Sequence, residues 1–220
     1  MAVTCTLSNH IKYQAYKAAL NLSSDSIKVL LARSGFVFAK DDHAKKINVK
    51  ASISRSDISF ESASKHIHTV AGTFITSGLV AGGKVTIGGT ASNNGVKTLV
   101  SVDSETQATV SEALTDEGAG AAMTIVGADE LSTGAGYTQD TKVLTSLVLT
   151  EDDTNDRAEM TCANIIWTAA GGSIGPTPGA ILYDDTSADD TIIGYIDFGG
   201  EQTAPDGADF TISNLKIRLS

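Results

Sequence analysis

The sequence is poor in cysteine, proline and aromatic residues, and it has no long apolar segment. Its 220 residues include 2 Cys, 3 Pro and 1 Trp, and aromatic residues make up 5% of the chain. No run approaches the roughly 18 apolar residues of a membrane-spanning helix, so we expect no membrane partner. A chain of this length buries a core without help from disulfides.

The two cysteines predict neither a metal knuckle nor a disulfide. Cys5 and Cys162 lie too far apart in the sequence for the spacing of a zinc site. The N-terminal stretch MAVTCTLSNHIKYQ lacks the basic start and the apolar core of a secretion signal. We therefore expect assembly in a reducing cytoplasm, where both cysteines remain thiols.

Acidic residues outnumber basic residues by 26 to 16, and the net charge of −10 disfavours binding to nucleic acid. The acidic residues concentrate at 151–156 (EDDTND) and 184–190 (DDTSADD). Both segments are typical of solvated turns. A calcium site is the alternative, although neither has the glycine and distal glutamate of an EF-hand loop.

Basic residues are densest at 40–55, which we interpret as a solvated or partner-facing arm.

The apolar pattern predicts one helix followed by many strands. Residues 11–22 have apolar side chains at helical spacing, with Ser8 or Asn9 as the N-cap. Later runs are short, β-branched and bounded by turn residues, which predicts an antiparallel β-sandwich of jelly-roll type. The predicted strands are 23–31, 143–150, 158–168, 180–183, 191–198 and 210–219. The last changes its apolar phase near Ser213 and Asn214, which predicts a β-bulge.

Residues 67–127 differ in composition from the rest of the chain, with almost no aromatic residues and many Gly, Ala and Thr. Asn94-Gly95 predicts a two-residue hairpin turn between strands around Val85 and Val100. Two further short strands would nearly close a small barrel. We therefore predict a small barrel-like β-domain inserted into a discontinuous host domain formed by 1–66 and 128–220.

One motif is typical of catalysis but lacks its context. GGSIG at 171–175 matches the nucleophile elbow G-x-S-x-G, with Ser173 as the nucleophile. A helix must follow that serine, yet Pro176 and Pro178 follow it, and all four histidines precede it. We interpret the motif as a glycine-rich turn between strands, and we predict no catalytic residue, no cofactor and no enzymatic activity.

His66 and His68 are spaced so that they share one face of a strand. We find no acidic or cysteine partner near them in the sequence, so we interpret them as residues of the surface or of the junction between the domains. A metal bound across an oligomer axis is the alternative, because two ligands alone do not make a site.

The only tryptophan, Trp167, ends a predicted strand. We interpret it as an anchor of the core. Its predicted aromatic neighbours between the sheets are Tyr183, Tyr195 and Phe198.

The C-terminal part of the host domain resembles a family of tailed-bacteriophage virion proteins. Within 164–212, the segments NIIWTAAGGSIGP, AILYDD, IIGYIDFG and DGADFTI resemble the strands and the GGSIGP-like turn of that family. SSDSIKVLL at 23–31 and ELSTGAGY at 130–137 resemble two further family elements. The segment 177–179 departs from the pattern, which has a bulkier or charged residue before the LY strand. This departure bears on any interface that the turn would form, and not on the fold.

The insertion resembles small β-domains that decorate virion proteins, through FITSGLVAGGKVTIGGT and NNGVKTLVSV. The resemblances imply a capsid decoration or cement protein on the capsid exterior. It would form a homo-oligomer and bind the phage major capsid protein after assembly in the host cytoplasm. A tail tube, adaptor or fibre-linked protein is the alternative within the same class. A carbohydrate-binding or carbohydrate-cleaving module belongs to another class and requires exposed aromatic platforms or paired acidic residues in a cleft.

Overall fold

The chain is mainly β in its computed structural model, which describes residues 4–127 and 129–219. It divides into a first unit, Met1–Lys45 with Glu130–Ser220, and a second unit, Lys46–Asp129. The second unit begins at Lys46 rather than at residue 67, because the strands between residues 52 and 69 belong to its own sheet. Residue 128, the other predicted boundary, lies outside the described residues.

The described residues form two short helices and many strands. The helices are α1 (Asn9–Tyr16) and α2 (Lys46–Val49). The strands are β1 (Thr4–Leu7), β2 (Ile27–Leu31), β3 (Ser52–Arg55), β4 (Ile58–Glu61), β5 (His66–Thr69), β6 (Lys84–Gly88), β7 (Gly95–Ser104), β8 (Gln107–Val110), β9 (Met123–Gly127), β10 (Lys142–Val143), β11 (Val148–Asp152), β12 (Arg157–Thr161), β13 (Ile165–Thr168), β14 (Ile174–Asp184), β15 (Ile192–Ala204), β16 (Asp209–Ile212) and β17 (Lys216–Leu219). Neither helix is long and apolar enough to cross a membrane.

Helix α1 is shorter than predicted. Ser8 caps it, and the Ser8 hydroxyl accepts a hydrogen bond from the Ile11 amide at 3.2 Å. The prediction extended the helix to residue 22, but Ala18 takes a left-handed φ of 53°. The Ala19 amide then donates to the Gln14 carbonyl at 3.1 Å, which closes the last turn and ends the helix.

The first unit is built around a five-stranded antiparallel sheet in the order β1-β15-β14-β2-β10. Leu30 and Leu31 on β2 are fully buried, as are Ile181 and Leu182 on β14. Consecutive apolar residues of this kind form strands that are covered on both faces. Strand β14 begins at Ile174 and pairs with β15, so the predicted glycine-rich turn does not extend through residues 176–179.

Three predicted strands are each divided in two. The segment 143–150 breaks into β10 and β11 at Ser146, where φ is 54°, and 210–219 breaks into β16 and β17 at Asn214, where φ is 55°. A left-handed residue interrupts extended backbone, so the two halves join different sheets. The predicted bulge near Ser213 and Asn214 is therefore a strand break. The segment 158–168 likewise divides into β12 and β13.

A three-stranded sheet, β11-β12-β17, and a two-stranded sheet, β13-β16, complete the first unit. One hydrophobic core joins them to the five-stranded sheet, and it includes Leu182, Met160, Trp167 and Ile217. The predicted mainly β, antiparallel fold with a short N-terminal helix is confirmed.

Trp167 lies in this core, but its aromatic neighbours differ in part from the prediction. The ring centroids of Tyr137 and Phe210 lie 5.9 and 6.2 Å from that of Trp167, and Phe198 lies 5.7 Å from Phe210. Tyr195 packs elsewhere, 5.6 Å from Phe36, because neighbouring strand residues face opposite sides of a sheet. Tyr183 is fully buried and its hydroxyl donates to Asp140.

Lys45 and Glu130 are the residues of the first unit that flank the second unit in the sequence, and each forms a β-bridge within the first unit. Lys45 forms an antiparallel bridge with Thr191, and Glu130 forms one with Ala32. The Thr191 carbonyl accepts from the Asp184 amide at 2.9 Å, and the Ala32 amide donates to the Gly179 carbonyl at 2.8 Å. Both connections are thus tied to β14.

The second unit is a seven-stranded antiparallel sheet in the order β3-β9-β6-β7-β8-β5-β4. Its core includes Ile58, Phe74, Ile87 and Ile125. Within the described residues, the end strands β3 and β4 do not pair with each other, so the sheet does not close into a barrel.

The predicted two-residue turn at Asn94-Gly95 is wrong. Gly95 is already paired with Ile87, and the loop between the two strands is longer. Asn94 closes that loop through its side chain, which accepts from the Thr90 amide at 3.0 Å and donates to the Thr90 carbonyl at 2.6 Å. The side chain takes the role of a backbone turn.

The basic segment 40–55 is not an arm. It contributes α2 and β3 to the second unit, and Val49 and Ile53 are core residues. In the first unit, His43 is 3% exposed and accepts a hydrogen bond from the Ala39 amide at 3.0 Å. Burial lowers the pKa of His43, which favours the neutral imidazole.

Candidate functional site

Strand β11 is an edge strand with apolar side chains on both faces. It pairs with β12 along one side, and no described strand covers its other side. The consecutive residues Val148 and Leu149 are 51% and 46% exposed, and they point to opposite faces. An uncovered strand edge presents backbone donors and acceptors that can pair with another chain.

Two further exposed apolar residues of the first unit, Val143 on β10 and Ile166 on β13, lie on neighbouring strands. The Lys142 ammonium donates to the Ile166 carbonyl at 2.5 Å, which joins the two strands. We call the exposed pair Val148 and Leu149 of β11 the edge surface.

Basic side chains surround one carboxylate on the sheet that contains β11. Glu159 accepts from Lys216 at 2.8 Å and from Arg218 at 2.9 Å, and Arg157 lies 3.8 Å away. The hydrogen bond from Lys216, followed by that from Arg218, lowers the pKa of Glu159. Lys216 and Arg218 remain about half exposed, which gives an acidic protein a local cationic area beside the edge surface.

Ser173 lies in the turn immediately before β14. Gly171 and Gly172 have left-handed φ values of 74° and 150°, and the Gly171 amide donates to Asp206 at 2.9 Å. A strand rather than a helix follows the serine, so the strand–turn–helix geometry of a nucleophile elbow is not formed.

The structure brings His66 and His68 together with an acidic residue that the sequence interpretation missed. Glu61, on β4, lies directly opposite His66 on β5. Among the described residues, this is the one group of three His, Cys, Asp or Glu residues whose ligand atoms all lie within 4.8 Å of one another. A prediction of a tight hairpin across residues 61–66 would have placed Glu61 beside the two histidines.

Contacts within the chain stabilise the first acidic loop, 151–156. Asp152 accepts from Asn155 and pairs with Arg157 at 2.9 Å, which closes the β11–β12 hairpin. Among the described residues of this loop, no three His, Cys, Asp or Glu ligand atoms lie within 4.8 Å of one another.

The second acidic loop, 184–190, contains a buried carboxyl group. Asp184 is fully buried, and one of its oxygens accepts from the amides of Thr186 and Ser187 at 2.8 and 3.2 Å. Burial, followed by the nearby charge of Asp25, raises the pKa of Asp184. Asp189 instead pairs with His10 at 2.8 Å.

Replacing Asp184 with Asn is expected to stabilise the first unit at pH 7 by about 0.5–2 kcal/mol. An acid whose pKa is raised by folding binds protons more tightly in the folded state, so stability falls as pH rises through the folded pKa. Asn keeps the oxygen that accepts from Thr186 and Ser187 and removes the charge. Urea denaturation at pH 7 and at acid pH measures the effect, which should vanish where Asp184 is protonated.

The matched control is Asp185→Asn, because Asp185 is the neighbouring residue and pairs with Lys28 at 2.8 Å. No gain in stability is expected from it. Equal or lower stability of Asp184→Asn at pH 7 would contradict the prediction.

A buried polar network ties the connector 130–140 to β2, and the sequence analysis did not identify it. Tyr137 donates to Glu130 at 2.7 Å and accepts from the Leu31 amide at 3.0 Å. The Asp140 amide also donates to Glu130, at 2.8 Å. Glu130 and Tyr137 are each 2% exposed, so this network holds the connector in place and offers no open pocket.

Aromatic side chains in the first unit give limited support to a carbohydrate platform. A surface depression of about 330 Å³ is lined by Phe36, Phe38, Pro178 and Tyr195. Phe36 and Tyr195 are 8% and 7% exposed, so these two rings pack against neighbours rather than present their faces. Within the described chain, the largely exposed aromatic rings are Tyr13 and Tyr16 on α1.

Both cysteines are free thiols, as the sequence predicted. Burial raises the pKa of Cys5 to about 12 and also raises that of Cys162. Neither is an activated nucleophile, because nucleophilic cysteines have lowered pKa values.

Comparison with known proteins gives no relative: no family model, no curated protein and no solved structure matches the chain.

Proposed function

We propose that this chain is a structural subunit of a tailed-bacteriophage particle. In this proposal it is a capsid decoration or cement protein that lies on the capsid exterior and binds copies of itself and the major capsid protein lattice. The observation that carries the proposal is the edge strand β11, with Val148 and Leu149 exposed on opposite faces. The motif resemblance of residues 164–212 supplies the class of particle.

An uncovered edge strand supports binding through strand addition. Backbone hydrogen bonds along β11 would extend a neighbour's sheet, and the alternating side chains would enter pockets on its two faces. Full burial of a Val or Leu side chain contributes about 1.5–3 kcal/mol. Repeated contacts of this size become strong on a symmetric shell, because each further contact is intramolecular. The net charge of −10 favours a position away from packaged DNA.

The location is tested by counting copies of the chain in tailed particles purified from the culture that produces it. Heads and tails are separated, and the chain is quantified in each fraction. Hundreds of copies on heads support the proposal. A few copies confined to tails would place it in the tail class instead, and absence from both fractions would overturn the particle assignment.

The binding surface is tested by Leu149→Lys. Desolvating a lysine and losing the leucine contact should weaken attachment to particles stripped of the protein at least ~10-fold. Val37→Lys is the matched control, because Val37 is an exposed apolar residue of the first unit, at 80%, that lies outside β11. Co-sedimentation measures both. Equal attachment of Leu149→Lys and the wild type would show that β11 is not the contact.

A further inference from the structure

We propose that Glu61, His66 and His68 of the second unit bind a divalent transition-metal ion of the Zn²⁺ class. The proposal is independent of the particle assignment, because it rests on the hairpin formed by β4 and β5. Glu61 lies opposite His66 in the antiparallel register, and Ser59 lies opposite His68. Directly opposed residues share a face, and so do residues two apart on one strand, so the three side chains project from one face.

The distances fit a metal site better than a hydrogen-bonded cluster. The Glu61 Oε2 atom lies 3.6 Å from His66 Nδ1 and 3.7 Å from His68 Nε2. Both separations exceed the usual 2.7–3.2 Å of an N–H···O hydrogen bond. Ligands about 2.0–2.1 Å from a tetrahedral zinc ion are separated by roughly 3.4 Å, the edge of the tetrahedron. Small side-chain rotations therefore bring all three atoms onto one ion.

The surroundings orient the ligands and favour a cation. The Ser64 hydroxyl donates to Glu61 Oε2, which orients the carboxylate at this end of the hairpin. A second carboxylate, Asp103, accepts a hydrogen bond from the Thr109 hydroxyl at 3.0 Å. Thr109 is the strand partner of His66. Through Thr109, this negative charge lies on the same face of the sheet as His66, where it favours a cation.

The exposure of the ligands determines how the ion would be bound. The side chains of His66, His68 and Glu61 are 26%, 37% and 53% exposed, so an ion can enter from solvent. Two imidazoles and one carboxylate suit zinc and its first-row neighbours, whereas calcium and magnesium prefer oxygen ligands. Three protein ligands leave the fourth position to water or to a group from another molecule.

The test is calorimetric titration of the metal-stripped, full-length protein with Zn²⁺, together with the visible d–d spectrum of the Co²⁺ form. The wild type should bind one ion per chain and give the spectrum of a four-coordinate ion. His66→Gln, His68→Gln and Glu61→Gln should each weaken binding at least ~10-fold. Because these side chains are partly exposed, circular dichroism without metal should show the wild-type fold for all three.

The matched control is His10→Gln, since His10 also pairs with a carboxylate, Asp189, at 2.8 Å but lies in the first unit without a second histidine. Its zinc affinity should equal that of the wild type. The proposal is overturned if the wild type shows no saturable binding, if the double variant His66→Gln/His68→Gln binds as well as the wild type, or if His10→Gln alone abolishes binding.

Discussion

Trp167→Ala should lower the free energy of unfolding by about 3–5 kcal/mol, the usual cost of deleting a large buried aromatic side chain. Trp167 is 4% exposed and lies between Tyr137 and Phe210 in the core of the first unit. It sits on β13, which belongs to a sheet of only two strands. That small sheet depends on side-chain packing, because two strands alone are marginally stable.

Urea denaturation followed by far-ultraviolet circular dichroism measures this loss. Ile166→Ala is the matched control: Ile166 is the preceding residue on β13, is 41% exposed, and should cost less than about 1 kcal/mol. Trp167→Phe should fall between them, since the indole N–H finds no acceptor among the described residues and only packing is lost. Similar stabilities of Trp167→Ala and Ile166→Ala would refute the assignment of Trp167 as the anchor.

Glu130→Ala should destabilise the first unit by about 2–4 kcal/mol, because one buried and one partly buried donor lose their acceptor, at a cost of about 1–3 kcal/mol for a buried donor. Those donors are the Tyr137 hydroxyl and the Asp140 amide, 2.7 and 2.8 Å from Glu130. The substitution also loosens the hydrogen bond between the Leu31 amide, on β2 of the five-stranded sheet, and the Tyr137 hydroxyl. The connector 130–140 would then open first.

Hydrogen exchange at the amides of Leu31 and Asp140, combined with urea denaturation, reports this opening. Glu130→Gln retains an oxygen acceptor in the same place and should recover more than half of the lost stability. If the alanine and glutamine variants were equally stable, the hydrogen bonds to Glu130 would not be what holds the connector.

The sequence was most informative where burial decides the structure. The run 180–183 lies within the interior strand β14, and the run 191–198 lies in β15 from Ile192 onward, because consecutive β-branched and apolar residues suit a strand covered on both faces. The ends of these strands were not predictable in the same way. Pro176 and Pro178 are typical of turns, yet they lie within β14, at two points where its register with β15 shifts and a proline is tolerated.

The sequence does not predict contacts that depend on side-chain hydrogen bonds or on the register between strands. Asn94 closes its loop through Thr90, a contact that a turn dipeptide does not reveal. His66 and His68 were recognised as sharing a face, but their acidic partner depends on the register that sets Glu61 opposite His66. Glu130 and Tyr137 were noted in the motif ELSTGAGY, but only tertiary packing shows that both are buried and bonded to each other.

The two bridges that hold the ends of the second unit constrain how this protein can be re-engineered. One is tied to Gly179 and the other to Asp184, at opposite ends of the same stretch of β14. Those points lie five residue steps apart along β14, which is roughly 17 Å at ~3.4 Å per residue. Excising residues 46–129 and ligating the cut ends directly would pull one terminus off its anchor, so a foreign cargo or a spacer grafted there must itself bridge that gap.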